Sequence, residues 1–160
     1  MKHNMKKILF AFVLLLVCAA CDSNKPTGAN VDNTGTAGEV LFEVAKNYFF
    51  KNGQQIPASP KIMTEEDFNK LFGMATTMGE DGKPTPIDFN KQFVLAIVLP
   101  VTDVATEIVP VKVEEMGDSL RYTYDVRVGE KQSFSIQPLS LIILDKQYAD
   151  REVILINESI

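Results

Sequence analysis

The sequence predicts an α+β fold, a mainly antiparallel β-sheet or meander of about five to six strands with one short helix packed on a face. Three observations carry that expectation. Phe93 to Leu99, FVLAIVL, has no polar residue on either face, which is how a central strand covered on both sides reads. Leu120 to Val128 alternates: Leu120, Tyr122, Tyr124, Val126 and Val128 share one face, and Arg121, Thr123, Asp125 and Arg127 share the other, the pattern of a half-buried antiparallel strand. Thr64-Glu65-Glu66-Asp67 has the chemistry of a helix start, with Thr64 as N-cap and acids in the first turn facing the positive end of the helix dipole.

The chain begins with a different kind of signal. Lys2, Lys6 and Lys7 precede an apolar run from Ile8 to Val17, followed by small residues and a cysteine, which is the order of an export signal. The run is too short to span a bilayer, because a transmembrane helix needs roughly 20 apolar residues. Cys18-Ala19-Ala20-Cys21 resembles a bacterial lipobox, with Cys18 where an aliphatic residue is usual. Residues 1–20 are therefore expected to be a lipoprotein signal peptide, and Cys21 to be acylated and become the mature N-terminus. The alternative is cleavage after Ala20 by an ordinary signal peptidase, which leaves an unpaired thiol in an oxidising compartment. Residues 21–38 hold that lipidated end and DSNKPTGANVDNTGTAG, too polar to offset its ordering entropy by burial. As a flexible tether those seventeen residues reach roughly 20–25 Å. Residues 39–160 are expected to form one globular domain, enough chain for a single core.

Composition narrows the chemistry. Without residues 1–20 the chain has 13 basic and 21 acidic residues, a formal charge of −8, which disfavours nucleic acid and anionic headgroups as partners. The only histidine, His3, lies in the signal, and the only cysteine left is Cys21. Nucleophile activation of the Ser–His or Cys–His kind, zinc sites built from His and Cys, haem ligation and disulfides all lack their residues. No cofactor or metal site is expected.

The remaining elements follow in order. Glu39 to Lys51 is ambiguous, with Val40, Val44 and Tyr48 at helical spacing but a β-branched and aromatic second half, and Asn47–Lys51 is expected to be a strand. Gly53 to Ser59 turns the chain. In the helix, Phe68, Leu71 and Phe72 form the apolar stripe and Gly73 suits its C-terminus. Met63, Met74 and Met78 read as core filler rather than a soft metal site. GEDGKPTP is a turn-rich loop, and its EDGKP around Asp81 lacks the alternating acids of an EF-hand. Pro100 ends the central strand. Thr106 to Glu114 places Val109, Val111 and Val113 on one face, with Pro110 implying an edge or a bulge. Gly117 marks the next turn. Gly129 to Gln132 is expected to turn the chain again, after which Phe134 and Ile136 resume the inward pattern until Pro138. Leu139–Leu144 and Val153–Ile156 are two more strands, joined by DKQYADRE, in a meander or hairpin series with the helix against one face.

DFNKQFVLAIVLP, TEIVPVKVEEMGDSLRYTYDVRVGEKQSFSIQPLSLIIL and the helix ending in Phe72-Gly73 together resemble the PrcB C-terminal-domain family of bacterial exported lipoproteins, over roughly Thr64 to Leu155. The resemblance implies protein binding beside an envelope protease, without catalysis. Where that family often has Gly-Gly-Tyr after the central strand, this chain has Asp103-Val104-Ala105-Thr106, which implies a different individual partner if that loop carries the family's contacts.

The expectation is a non-enzymatic protein held in the bacterial cell envelope by an N-terminal lipid, facing the periplasm or the cell surface at the outer membrane, that binds another envelope protein. The membrane is reached only through the lipid. Binding residues concentrate on loops held by a scaffold. The candidate loops are therefore Pro100–Glu107, with Asp103, Thr106 and Glu107, and the Gly129–Ser133 turn, with Glu130 and Lys131. The alternatives are a small-ligand-binding lipoprotein and a carboxylate-dependent glycan hydrolase using Asp103 and Glu107, which needs two carboxyls roughly 5–10 Å apart.

Overall fold

A computed structural model describes residues 38–76, 79 and 82–159. The readings at the signal, Cys21, the tether to residue 37, Met78 and Asp81 lie outside the described residues. Those residues form nine strands and one α-helix: β1 (Glu43–Val44), β2 (Tyr48–Phe50), β3 (Lys61–Ile62), α1 (Glu65–Leu71), β4 (Phe72–Met74), β5 (Gln92–Val98), β6 (Thr102–Met116), β7 (Ser119–Ile136), β8 (Leu139–Asp145) and β9 (Glu152–Asn157), with a 3-10 turn at Lys146–Tyr148.

The apolar run of β5 makes it a central strand. It pairs with β8 along its whole length, Gln92 opposite Asp145 through Val98 opposite Leu139, inside a sheet of order β1-β8-β5-β3. Side chains alternate between the faces of a strand, and both faces of this one are covered. Phe93, Leu95 and Ile97, with Ile142 and Leu144 of β8, enter one buried cluster with Ile108, Val113, Leu120 and Tyr122 of β6 and β7. Val94, Ala96 and Val98, with Leu141 and Ile143, enter a second with Phe50, Phe68 and Phe72. The result is three layers: the β6-β7-β9 sheet, the four-stranded sheet, and α1 with the β2-β4 pair.

The helix forms as its sequence requires. Thr64 Oγ1 accepts from the Asp67 backbone N–H and donates to the Asp67 carboxylate at 2.7 Å. That hydroxyl, and then Lys70, hold the Asp67 carboxyl below its ordinary pKa. Phe68 anchors the buried face, in edge contact with Tyr48 at 5.1 Å and stacked near Phe72 at 5.0 Å.

Several expectations need correction. Nine strands form in three sheets rather than five or six in one, because β1, β3 and β4 are only two or three residues long and too short to show a period. The chain does not close a helix at Gly73; it passes directly into β4, where Gly73 lies opposite Phe49 and a Cβ would sit 2.4 Å from the Phe49 ring. Pro110 does bring a bulge, and the bulge changes the parity. Ile108, Pro110 and Val113 pair with the inward Val126, Tyr124 and Tyr122, Val109 pairs with Asp125 on the outer face, and Val111 is the extra, exposed residue. Of the methionines, Met63 packs against the first cluster while Met74 is exposed. The last two strands are not a hairpin. β9 crosses to the other sheet and runs parallel to β7, from Ser119 opposite Glu152 to Tyr124 opposite Asn157.

The first cluster also buries two polar atoms. Tyr122 Oη and Ser140 Oγ both lack a hydrogen-bond partner. Burial pushes the Tyr122 phenol up to about 12, with Ser140 near enough to oppose that slightly, though not in hydrogen-bonding geometry.

Candidate functional site

The two segments expected to be loops are the facing strands of one ribbon. Thr102–Glu107 opens β6, and Gly129–Ser133 lies inside β7, which stays extended to Ile136. No turn forms at Gly129–Gln132 because the extra residues are absorbed as register shifts against β6, between Thr102 and Val104 and again between Val104 and Thr106. Such bulges insert residues into one strand without ending the pairing. Gly129 suits this crowding, since a Cβ there would meet Ala105 Cβ at 3.3 Å.

The strand pairing holds three of the five candidate residues, Thr106, Glu107 and Lys131, and Asp103 and Glu130 are their chain neighbours. Val104 lies opposite Lys131, Thr106 opposite Val128 and Glu107 opposite Arg127. Asp103 and Lys131 form an ion pair at 2.9 Å. Thr106 Oγ1 donates to the Val104 carbonyl at 3.0 Å, and the Val104 N–H donates to Thr102 Oγ1 at 3.1 Å, so both hydroxyls serve the shifted backbone. Glu107 and Glu130 are exposed and make no ion pair among the described residues. Asp103 and Glu107 lie four residues apart on one extended strand, about 13 Å between Cα atoms.

Between the strands runs an open groove of about 500 Å³ with Thr106, Arg127, Val128, Gln132, Phe134 and Ile136 on its walls. Its apolar part was missed from sequence. Phe134 was expected to face inward, yet it is 58 % exposed, and Val128 is 69 % exposed. The available signal was length. β7 pairs along the 15 residues of β6 and β5 has 7, about 50 Å against about 23 Å, so a hairpin of that length overshoots the sheet it packs on. Gln132 Oε1 is buried and lacks a hydrogen-bond partner.

The ribbon is also bare at its edges. Farther toward the hairpin tip, Gly38–Val40 runs along β6, with the Val40 N–H donating to the Val113 carbonyl at 2.8 Å, and β9 covers β7. β9 stops at Asn157, after which the Glu158 N–H donates to the Tyr124 carbonyl and Ser159 Oγ accepts from the Val126 N–H. Beyond Val126, among the described residues, no strand lies along either edge.

A second cavity, about 480 Å³, lies beside α1 with Tyr48, Phe68, Met74 and Phe89 on its walls, and Tyr48 Oη donates to the Thr85 carbonyl at 2.6 Å. Among the described residues no three His, Cys, Asp or Glu side chains gather where a metal ion could bind, and no helix is long and apolar enough to cross a membrane.

The fold and site define a three-layer α+β domain carrying a protruding two-stranded ribbon with an apolar groove. No protein-family model, curated protein or solved structure matches the chain.

Proposed function

We propose that this is a non-enzymatic, lipid-anchored cell-envelope protein that binds another protein through the Thr102–Glu107 and Arg127–Ile136 ribbon, an envelope protease or its complex being the partner class that the family resemblance suggests. One observation carries the reading: Val128 and Phe134 stand exposed along one groove of a ribbon whose edges are unpaired among the described residues. Exposed contiguous apolar surface marks interaction sites, and open strand edges are usually covered or blunted.

The test is photo-crosslinking in intact cells, with benzoylphenylalanine in place of Phe134 and, separately, of Glu66 on the exposed face of α1. Capture of the same protein through position 134 and not through position 66 is the expected result. Equal capture at both, or none at 134, refutes the ribbon as the binding surface. The anchor is tested by Cys21→Ser, which should abolish fatty-acid labelling.

A second reading, small-ligand binding, is favoured by the aromatic walls of the cavity beside α1. A small molecule released from the purified protein, with nothing captured at position 134, would exchange the two readings.

A further inference from the structure

Taking the protein-binding reading as its base, we infer that the ribbon groove accepts an extended apolar segment carrying basic side chains. The walls supply the apolar half of that specification through Val128, Phe134 and Ile136. The polar half follows from the charges and ion pairs at the rim. Both cations of the ribbon already have partners: Arg127 is paired with Asp125 at 3.5 Å and Lys131 with Asp103 at 2.9 Å. Glu107, on the groove wall, and Glu130, next to Gly129, make no ion pair among the described residues. Gln132 adds a buried carbonyl oxygen with no donor. Asp103, Glu107, Asp125 and Glu130 outnumber Arg127 and Lys131, so the rim carries net negative charge, and the buried Gln132 acceptor left unmatched is destabilising. Lysine and arginine side chains bring donors and positive charge together.

A second copy of this chain is a poor occupant. It would set the same glutamates against each other, in a mature chain of net charge −8. The bulges and the charges of Arg127, Glu130 and Lys131 also blunt the backbone edge of β7 against unselective strand pairing. Side-chain fit in the groove is left to make the selection.

The test measures fluorescence anisotropy of labelled octapeptides with the full chain in detergent: alternating Lys-Val, alternating Glu-Val, and alternating Lys-Ser. The Lys-Val peptide should bind at least about tenfold tighter than either control, since it alone supplies both halves. Phe134→Ser should weaken it about tenfold, and Glu107→Gln with Glu130→Gln about fivefold. Glu65→Gln with Asp150→Asn, which removes the same charge elsewhere, should leave it within about twofold, because distant exposed charges are screened. Phe134, Glu107 and Glu130 are exposed, so these variants should fold.

Equal binding of Lys-Val and Lys-Ser, or equal weakening by the two double variants, reduces the effect to overall charge and overturns the inference. So does equal binding of Glu-Val, absence of Lys-Val binding, or a Phe134-dependent dimer in sedimentation. Any of these together with a protein captured through position 134 in cells rejects the basic segment and leaves protein binding standing. Loss of both rejects both.

Discussion

β6 and β7 form one hairpin whose two halves have opposite surroundings. Near the tip, Ile108, Val113, Leu120 and Tyr122 are buried against the central sheet, and both edges are covered, by Gly38–Val40 and by β9. In the half that leads back to β5 and β8, the same two strands carry Val128 and Phe134 into solvent, the register shifts twice, and neither edge has a neighbouring strand among the described residues. Both halves are rich in strand-forming residues, so β-propensity does not separate them. Neighbours do: a strand residue is stabilised by what its face and edge meet.

The two halves should differ most in what their apolar side chains contribute to stability. Leu120 is fully buried, and Leu120→Ala should lower stability by about 3 kcal/mol, within the roughly 2–5 kcal/mol typical of such cavities. Val128→Ala should change it by less than about 0.5 kcal/mol. Urea midpoints with unchanged slopes provide the measurement. A loss above about 1.5 kcal/mol for Val128→Ala would mean that the outer half is packed in solution.

The second effect appears only at alkaline pH. The Tyr122 phenol ordinarily titrates at 10.0 and burial raises it to about 12 in the folded chain. Between those values the unfolded chain has released this proton and the folded chain has kept it, so stability falls as pH rises from about 10 to 12, by at most about 2–3 kcal/mol from this group. Tyr122→Phe should remove that part of the alkaline loss. At pH 7 it should be neutral, or stabilising by up to about 1 kcal/mol, because it deletes an unpartnered buried hydroxyl. Tyr124→Phe, in the same sheet but half-buried, serves as the comparison. Identical alkaline profiles for wild type and Tyr122→Phe would contradict the burial argument.

The buried half was legible in the sequence and the open half was not, for a physical reason. Burial on both faces leaves no polar position, so FVLAIVL marks β5 directly, and Leu120 to Tyr124 alternates because the face of Leu120 and Tyr122 meets the core while on the other only Thr123 is buried. That alternation continues through Val126 and Val128 without change, although the core ends there. Periodicity reports which residues share a face, and it does not report where the neighbouring layer stops. The bulges hid the ribbon further. Gly129 and the polar residues after it have turn chemistry, and only the pairing of Val104 with Lys131 shows that the strand continues. The candidate acids and Lys131 are legible because charged residues beside Pro100 and Gly129 have the chemistry of solvated loops. Phe134 was missed because an alternating aromatic is ordinarily a core residue. The parallel β7–β9 pairing left no local mark, since nothing within Glu152–Asn157 distinguishes a crossover from a hairpin.

The two halves also differ in their ion pairs. Arg151, at the start of β9, places its guanidinium between the Glu115 carboxylate at 2.5 Å, the Gly117 carbonyl and Asp118 at 3.4 Å, tying β9 to the hairpin tip. Lys61 Nζ supports the same corner through the Ala149 and Arg151 carbonyls. Arg151→Ala should cost about 1 kcal/mol, more than an isolated surface pair, because charge-assisted bonds to several acceptors are lost at once. Amide exchange should accelerate first in β9 and in Ser119–Tyr124, which β9 covers, and exchange that speeds up equally in Arg127–Ile136 would contradict the division.

The smallest effect belongs to the ribbon's own pair. Asp103 and Lys131 meet at 2.9 Å but with side chains 47 % and 76 % exposed, so water and salt screen their attraction and ordering Lys131 opposes it. Asp103→Asn should change stability by less than about 0.5 kcal/mol, and raising salt to about 0.5 M should erase the difference. A double-mutant cycle with Lys131→Gln isolates the pair from other effects of each substitution. A coupling above about 1 kcal/mol would mean that the pair is shielded from solvent and that the ribbon's outer half is held as firmly as the tip. A coupling near zero means that Asp103 and Lys131 do not hold each other and that the ribbon's outer half is looser than the tip.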